Sequence, residues 1–170
     1  MSEESISLDH YNYSFDESVS SYSFSTEKGA IYRVAFTNDY TFNSISSTDE
    51  FENQYQLIVE RVSDEKVSHD PKIAATIGLI IVRFFETKIN SLLCVYSDED
   101  GKEEYRFKTF DRWYSNSSAK DYILKEDRVL EVEYNGDVKL YYTSFLYHKE
   151  NPNKDRLLEI YDKIQETLNK

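Results

Sequence analysis

The residues best suited to chemistry lie in one segment, SDEDGKEEYRFKTFDRWY, residues 97–114. Asp98 and Asp100 follow an apolar run directly, and carboxylates in such a turn could hold Mg²⁺ beside a substrate phosphate. Lys102 and Arg112 would then neutralise negative charge in the transition state. One hypothesis is therefore a metal-assisted phosphoryl-transfer or hydrolytic enzyme that uses these four residues.

The same segment also has two interpretations without catalysis. S-D-E-D-G is an ordinary solvated turn and lacks the D-x-D-x-D-G spacing of a calcium loop. In the structural interpretation, which we favour, an Arg pairs with a nearby carboxylate while Phe110 and Trp113 fill the core. In the other, the segment is an exposed anchor for a protein partner, because Trp, Tyr and Arg are enriched among interface hot spots. The anchor residues would be Arg106, Arg112, Trp113 and Tyr114.

The rest of the sequence lacks the familiar catalytic, metal and cofactor motifs. Cys94 is the only cysteine, which excludes an internal disulfide, and its apolar setting SLLCVYS predicts burial. His10, His69 and His148 do not have the spacing of a zinc motif. With only four glycines there is no Gly-rich phosphate loop. We therefore expect no cofactor and no metal.

The charge is strongly unbalanced. The chain has 32 acidic and 20 basic residues, a net charge of -12, and residues 1–60 hold eleven of the acids but only Lys28 and Arg33. Binding to nucleic acid or to an anionic membrane needs a basic surface, which this sequence does not offer. Our main hypothesis is a non-catalytic binding or regulatory protein that docks through an acidic surface on a partner with a basic one.

The sequence favours a reducing cytoplasm as the location. The N-terminus, MSEESISLDH, is polar and acidic, which is not typical of a secretory signal. The longest apolar run, residues 73–82, is too short to cross a bilayer, which takes about 20 residues. The single cysteine agrees with that compartment.

Alternating apolar and polar residues predict one α+β domain over residues 11–170, preceded by a disordered tail over residues 1–10. Its sheet should be mostly antiparallel, with about six strands. The strand signals are a hairpin over 22–36, strands at 55–62 and 92–96, and a hairpin over 129–147 that turns at Asn135-Gly136. The second hairpin could present a sheet edge, but Glu131, Glu133 and Lys139 would discourage uncontrolled pairing.

Three helices are predicted between and after these strands. Asp70-Pro71 is a cap-plus-proline signal, and the residues after it are apolar on nearly every side, so a buried central helix should span 71–88. A short helix is expected within 102–114. An amphipathic helix should follow Asn151-Pro152, with an apolar stripe of Leu157, Ile160, Tyr161, Ile164 and Leu168. Residues 38–53 are interpreted as a loop or a broken strand.

Three stretches in this order resemble a bacterial domain-of-unknown-function family. They are YSFSTEKGAIYRVAF at 22–36, then HDPKIAATIGLIIVRFFE followed by LLCVYSDEDGKEEYRFKTFDRWY, and finally the strand at 140–147 with KENPNK and a terminal helix. The resemblance covers nearly the whole chain after the N-terminal tail. It implies a single α+β fold and a bacterial cytoplasmic setting, and it implies no substrate, cofactor or catalytic residue.

Overall fold

The structure, a computed structural model, describes residues 9–47, 50–63, 69–96 and 98–168. Over these residues it is an α+β fold with a seven-stranded, mostly antiparallel sheet and four α-helices, which confirms the expected fold class with one strand more than predicted. The expected disordered tail lies outside the described residues except for positions 9 and 10. The strands are β1 (Tyr13–Asp16), β2 (Ser21–Ser25), β3 (Ile31–Asn38), β4 (Gln54–Arg61), β5 (Ser91–Val95), β6 (Ile123–Tyr134) and β7 (Asp137–His148). The helices are α1 (Thr41–Ser46), α2 (Pro71–Phe84), α3 (Glu103–Asn116) and α4 (Lys154–Leu168), with a 3-10 turn at Ser118–Asp121.

The strand order in the sheet is β1-β2-β3-β4-β5-β7-β6. β4 and β5 run parallel, and β5 lies between β4 and β7, which confirms the interior position predicted from its apolar sequence. β6 is the last strand at one edge of the sheet.

The chain divides into two compact units. The first consists of the described residues up to Ala35 and from Ile58 to Arg83, and the second of residues 36–57 and the described residues from Phe84 onward.

The predicted hairpin over 22–36, of which all but the last residue lies in the first unit, is confirmed as β2 and β3. Their turn is closed by Thr26, whose N–H donates to the Ala30 carbonyl oxygen at 2.8 Å. Gly29 has a φ of +84°, a value that a residue without Cβ adopts at little cost. The sequence prediction missed β1, which pairs with β2 through Tyr13 and Phe24. β1 has only four residues, three of them exposed, so its alternation signal is too short to recognise.

Helix α2, also in the first unit, starts where the cap signal predicts. The Asp70 carboxylate accepts a hydrogen bond from the Lys72 backbone N–H at 3.0 Å, which satisfies one of the free donors of the first turn. The helix ends at Phe84, four residues before the predicted end at 88. Its buried side includes Ile80 and Ile81, whereas Leu79 is 39% exposed, so burial follows one side of the helix. Within the described ranges, no helix combines the length and the hydrophobicity needed to cross a membrane.

The second unit has its core on the face of the sheet that carries α4. Phe145 is fully buried at its centre, with ring centroids 5.2 Å from Phe42 and 5.3 Å from Tyr161. The stripe predicted for the C-terminal helix is confirmed at the four positions whose side chains are described. These are Leu157, Ile160, Tyr161 and Ile164. The helix begins at Lys154, after Asn151 has accepted a hydrogen bond from the Asn153 N–H at 2.8 Å.

The prediction of a loop or broken strand over 38–53 was wrong in part. α1 forms there, and its first N–H, from Thr41, donates to the Asp39 carboxylate at 2.8 Å. The helix has six residues, so Phe42 and Ile45 are the only two members of its apolar face, and two positions do not establish a helical period. Burial of Phe42 in the core stabilises a helix that its local sequence barely indicates.

The β6–β7 hairpin is confirmed and is longer than predicted. Each strand has twelve residues, and the turn between them has positive φ at Asn135 (+52°) and Gly136 (+83°), as a type I′ turn requires. β5 pairs with β7 only over residues 143–147, and the Tyr96 N–H adds a last bond to Tyr142 at 3.1 Å. Residues 129–141 therefore continue beyond the end of β5 as two strands, and we call them the distal ribbon.

Candidate functional site

The two carboxylates of the proposed metal site bind different cationic side chains. Lys139 Nζ lies 2.5 Å from Asp98 Oδ2, and the Arg106 guanidinium donates two bonds, of 2.6 and 2.7 Å, to Asp100. The hydrogen bond from Lys139 lowers the pKa of Asp98, and the one from Arg106 holds the pKa of Asp100 at about 2. In the part of the chain that the structure describes, no three His, Cys, Asp or Glu side chains are grouped to hold a metal ion. Lys102 and Arg112 are exposed.

We expect a titration with Mg²⁺ or Mn²⁺ to give the same heat for the wild-type protein and for Asp98→Ala/Asp100→Ala. The physical reason is that a metal ion would have to displace Lys139 and Arg106 from carboxylates they already neutralise. Isothermal titration calorimetry measures this directly, with Glu86→Ala/Glu166→Ala as a control that removes two exposed carboxylates elsewhere. A saturable heat in the wild type and the control that is missing from Asp98→Ala/Asp100→Ala would favour the metal-assisted enzyme.

The four residues of the predicted partner anchor have different surroundings. The predicted short helix is confirmed as α3, and it carries all four. Tyr114 is half-buried and its hydroxyl donates to the Ile123 carbonyl oxygen at 2.6 Å, while the Trp113 ring packs 5.3 Å from that of Phe110. Arg106 is engaged by Asp100, and Arg112 is the exposed member of the four. The structure thus places Trp113 and Tyr114 partly in the packing of α3.

A buried charge cluster beneath α3 was missed by the sequence analysis. The Lys125 side chain is only 3% exposed, and its Nζ lies 2.8 Å from Asp111 Oδ1 and 2.6 Å from Asp127 Oδ2. The ring of Tyr114 lies 5.4 Å from the same ammonium group, which adds a cation–π contact. Burial lowers the pKa of Lys125, but the hydrogen bonds to the two carboxylates outweigh it and the net shift is upward. Lys125 is therefore a charged lysine inside the protein.

The cluster continues across the sheet as a chain of hydrogen bonds. Asp127 accepts from the Ser144 hydroxyl at 2.7 Å, and Ser144 in turn accepts from the Tyr96 hydroxyl at 3.0 Å. Cys94 is the Cα partner of Ser144 on β5 and is buried, as predicted. Burial raises the pKa of its thiol to about 12 and raises the pKa of Tyr96 as well. At neutral pH both groups keep their protons, so neither is an activated nucleophile. The network is joined to α3 through the ion pair of Lys125 with Asp111.

One small pocket in the second unit has a volume of about 120 Å³. Its inner wall includes Gln54 and Ser91, which hydrogen bond to each other at 2.6 Å. Pockets for drug-sized ligands are typically about 300–1,000 Å³. This pocket is therefore too small to argue for an organic ligand.

The distal ribbon exposes apolar and acidic side chains on the same face. Val129 is 45% exposed, Val138 64% and Leu140 42%. The register pairs Glu131 with Leu140 and Glu133 with Val138, and side chains directly opposite in a pair of strands share a face. Unlike isolated surface apolar residues, these lie together, and such exposed patches mark interaction sites.

In the β6–β7 hairpin, the cationic side chains form ion pairs, but several of the acidic side chains do not. Its cations are paired, with Arg128 2.8 Å from Asp162 and Lys139 bound to Asp98. Glu131, Glu133 and Asp137 are exposed and form no ion pair with any described residue. The ribbon therefore presents unneutralised negative charge beside its apolar residues.

The acidic side chains in the N-terminal third of the sequence are less available for binding a partner than the composition suggests. Lys72 binds both Asp9, at 3.1 Å, and Glu27, at 2.9 Å, within the first unit. Arg33 pairs with Glu60 in the same unit. In the second unit Arg156 lies 3.2 Å from Glu50. Because these carboxylates are paired within the protein, the N-terminal third presents less negative charge to a partner.

The fold and these surfaces define an α+β protein with an exposed hairpin at the sheet edge that carries acidic and apolar side chains. The family model described as a family of unknown function, DUF6169, matches residues 69–163, and the chain belongs to that family. The match confirms the resemblance to a domain-of-unknown-function family. It runs from just before α2 into α4 and includes the whole distal ribbon. No curated protein and no solved structure matches the chain.

Proposed function

We propose that the protein is a non-catalytic binding or regulatory protein that docks a partner with a basic surface, and that the distal ribbon is the docking surface. The observation that carries the proposal is that exposed Val129, Val138 and Leu140 share one face of the ribbon with the unpaired carboxylates of Glu131 and Glu133. The described residues of α3 do not form a comparable grouping of exposed apolar and unpaired acidic side chains, because the charged residues of α3 are largely paired.

The two kinds of side chain on the ribbon have different roles in binding. Burying apolar surface contributes about 25 cal/mol per Å², so the valines and the leucine supply affinity. The carboxylates attract a basic partner over longer distances, raise the association rate and disfavour acidic competitors. Screening by salt weakens the second contribution more than the first. A partner of this surface should therefore bind more weakly as the ionic strength rises.

The proposed role belongs in a reducing bacterial cytoplasm, as an adaptor or as an antagonist of a basic protein. A buried, reduced Cys94 and the net charge of -12 support that setting. An acidic protein of this kind would present carboxylates where the basic partner otherwise meets phosphates. The proposal thus includes a partner with a nucleic-acid-binding surface, although the chain itself does not bind nucleic acid.

The test compares capture by the wild-type protein with capture by Glu131→Lys/Glu133→Lys. A partner retained from a bacterial lysate at low salt should be released at high salt, and the double variant should retain at least about tenfold less of it, since it reverses the charge of the surface. Glu86→Lys/Glu166→Lys changes the net charge by the same amount at exposed positions outside the ribbon and should capture normally. Equal loss in both variants, or no salt-sensitive partner at all, would contradict the proposal.

A further inference from the structure

Within the distal ribbon, the outer edge of β6 has one backbone position that a side chain already occupies. The Glu131 N–H donates to Gln165 Oε1 at 2.9 Å, and the Gln165 amide nitrogen donates to the Glu131 carbonyl oxygen at 2.9 Å. Gln165 lies on α4, so this primary amide pairs with β6 as one residue of a neighbouring strand would. Among the described residues, β7 is the only strand that pairs with β6. The amide of Gln165 thus marks where a further strand would lie.

On either side of Glu131, no second strand among the described residues pairs with the outer edge of β6. In an antiparallel pair, successive residues alternate between directing their N–H and C=O toward the partner strand and away from it. Since those of Glu131 point away from β7, those of Val129 and Glu133, two residues distant, also point outward. The Tyr96 N–H bonds the Tyr142 carbonyl oxygen on the other side of β7, which agrees with this alternation. Among the described residues, none is seen bonding the outward backbone groups of Val129 and Glu133, which flank the position that Gln165 covers.

The charges on this edge decide what can pair with it. Glu131 and Glu133 lie on one face of β6, and an added strand would place its own side chains directly beside them. A second copy of β6, paired antiparallel and centred on Glu131, would bring the two Glu131 carboxylates together, and like charges directly opposite are destabilising. An extended segment with Lys or Arg at alternate positions would instead meet both carboxylates. The edge thus favours a basic partner over a second copy of this chain.

We propose that the outer edge of β6 is a strand-addition site for an extended basic segment of a partner protein. The segment pairs with the backbone of Val129 and Glu133 and displaces the Gln165 side chain from Glu131. Its alternate basic side chains lie beside Glu131 and Glu133. This inference rests on the proposed function and specifies how the partner binds.

Defined peptides test the proposal with the full chain. The probe is a blocked peptide of alternating Lys and Val, seven residues long with Lys at both ends, and its Kd is measured by fluorescence anisotropy. Antiparallel pairing places a Lys opposite Glu131 with its N–H directed at β6, while the Val N–H groups point away. Methylation of the Lys backbone nitrogens should therefore weaken binding at least about tenfold, since it removes several main-chain hydrogen bonds. Methylation of the Val nitrogens, with the same charge and side chains, should leave the Kd nearly unchanged.

The outcomes separate this inference from the proposed function. Equal affinity of the two methylated peptides would overturn strand addition, while loss of binding in Glu131→Lys/Glu133→Lys would still support charge-based docking. Failure of the unmodified peptide to bind at any salt concentration would count against both. Gln165→Ala should bind the unmodified peptide about three- to tenfold more tightly, because nothing then has to be displaced. Unchanged or weaker binding by a Gln165→Ala protein with a native circular dichroism spectrum would overturn the displacement of Gln165.

Discussion

Replacing Lys125 with Met should lower the free energy of unfolding by about 3 kcal/mol, because removing one member of a buried ion pair leaves the other charge without compensation. Met keeps most of the volume of the lysine stem, so the effect is electrostatic rather than a cavity. Asp127 would keep its hydrogen bond from Ser144 but lose an ammonium group at 2.6 Å in a site where Lys125 is 3% exposed. Asp111, which is 51% exposed, can turn to water and should contribute less.

Urea denaturation of three variants measures this effect. Lys125→Met/Asp127→Leu removes both charges and should recover at least half of the lost stability, since replacing a buried pair by apolar residues is often close to neutral. Lys108→Met is the control, because Lys108 pairs with Glu104 on the exposed side of α3 and such pairs contribute less than about 1 kcal/mol. A loss in Lys125→Met no larger than in Lys108→Met would show that the cluster does not stabilise the fold.

The difference between the wild type and Lys125→Met should also depend on pH in one direction. Burial opposes the charged form of Lys125, but the two carboxylates outweigh it, so its folded pKa lies above the ordinary value of 10.5. A raised folded pKa contributes stability that is fully present below the unfolded pKa and is lost as the pH rises through the folded pKa. The stability difference should therefore be constant between about pH 6 and 9 and shrink only above about pH 10.5. A difference that already shrinks at neutral pH would contradict this account.

Lys125 also shows where sequence patterns stop being informative. The predicted hairpin began at Val129, because the charged run KEDR before it breaks the alternation of apolar and polar residues. The structure extends β6 back to Ile123 and turns Lys125 and Asp127 toward α3. Whether two opposite charges in a strand face water or each other depends on what packs above them, here α3, and that is not encoded locally. The turn at Asn135-Gly136, in contrast, is encoded locally, since Asn and Gly are themselves the residues that readily adopt positive φ at two adjacent positions.

The candidate site could be predicted only in part, for the same reason. The sequence indicated a sheet edge protected by Glu131, Glu133 and Lys139. The structure retains the two glutamates at the edge but binds Lys139 to Asp98, so the protection is acidic and not mixed. The pairing of Gln165 with Glu131 joins residues 34 positions apart and has no local signal. This contact depends on the register of β6 against β7 and on the direction of α4, which only the folded structure determines.

Phe42→Ala should lower the free energy of unfolding by about 4 kcal/mol, although Phe42 lies in a stretch whose sequence predicts a loop or broken strand. The side chain is completely buried, and its ring lies 5.2 Å from Phe145 and 6.4 Å from Tyr161 between centroids. Truncation would leave a cavity bounded by rigid aromatic rings, which collapse poorly around a void. It would also remove the principal buried anchor of α1, a six-residue helix that is too short to be stable without tertiary contacts.

Tyr40→Ala is the matched control, because Tyr40 lies just before α1 but is 67% exposed, and substitutions at such surface positions usually change stability by less than about 0.5 kcal/mol. Urea denaturation of both variants should give unfolding slopes like that of the wild type and midpoints that differ strongly. If Phe42→Ala is as stable as Tyr40→Ala, then α1 does not belong to the core. Binding of the Lys-Val peptide by the folded fraction of Phe42→Ala should be unchanged, because Phe42 is completely buried and the peptide binds at the outer edge of β6, which Phe42 does not form. A stability loss without a binding loss would thus separate the scaffold from the surface it supports.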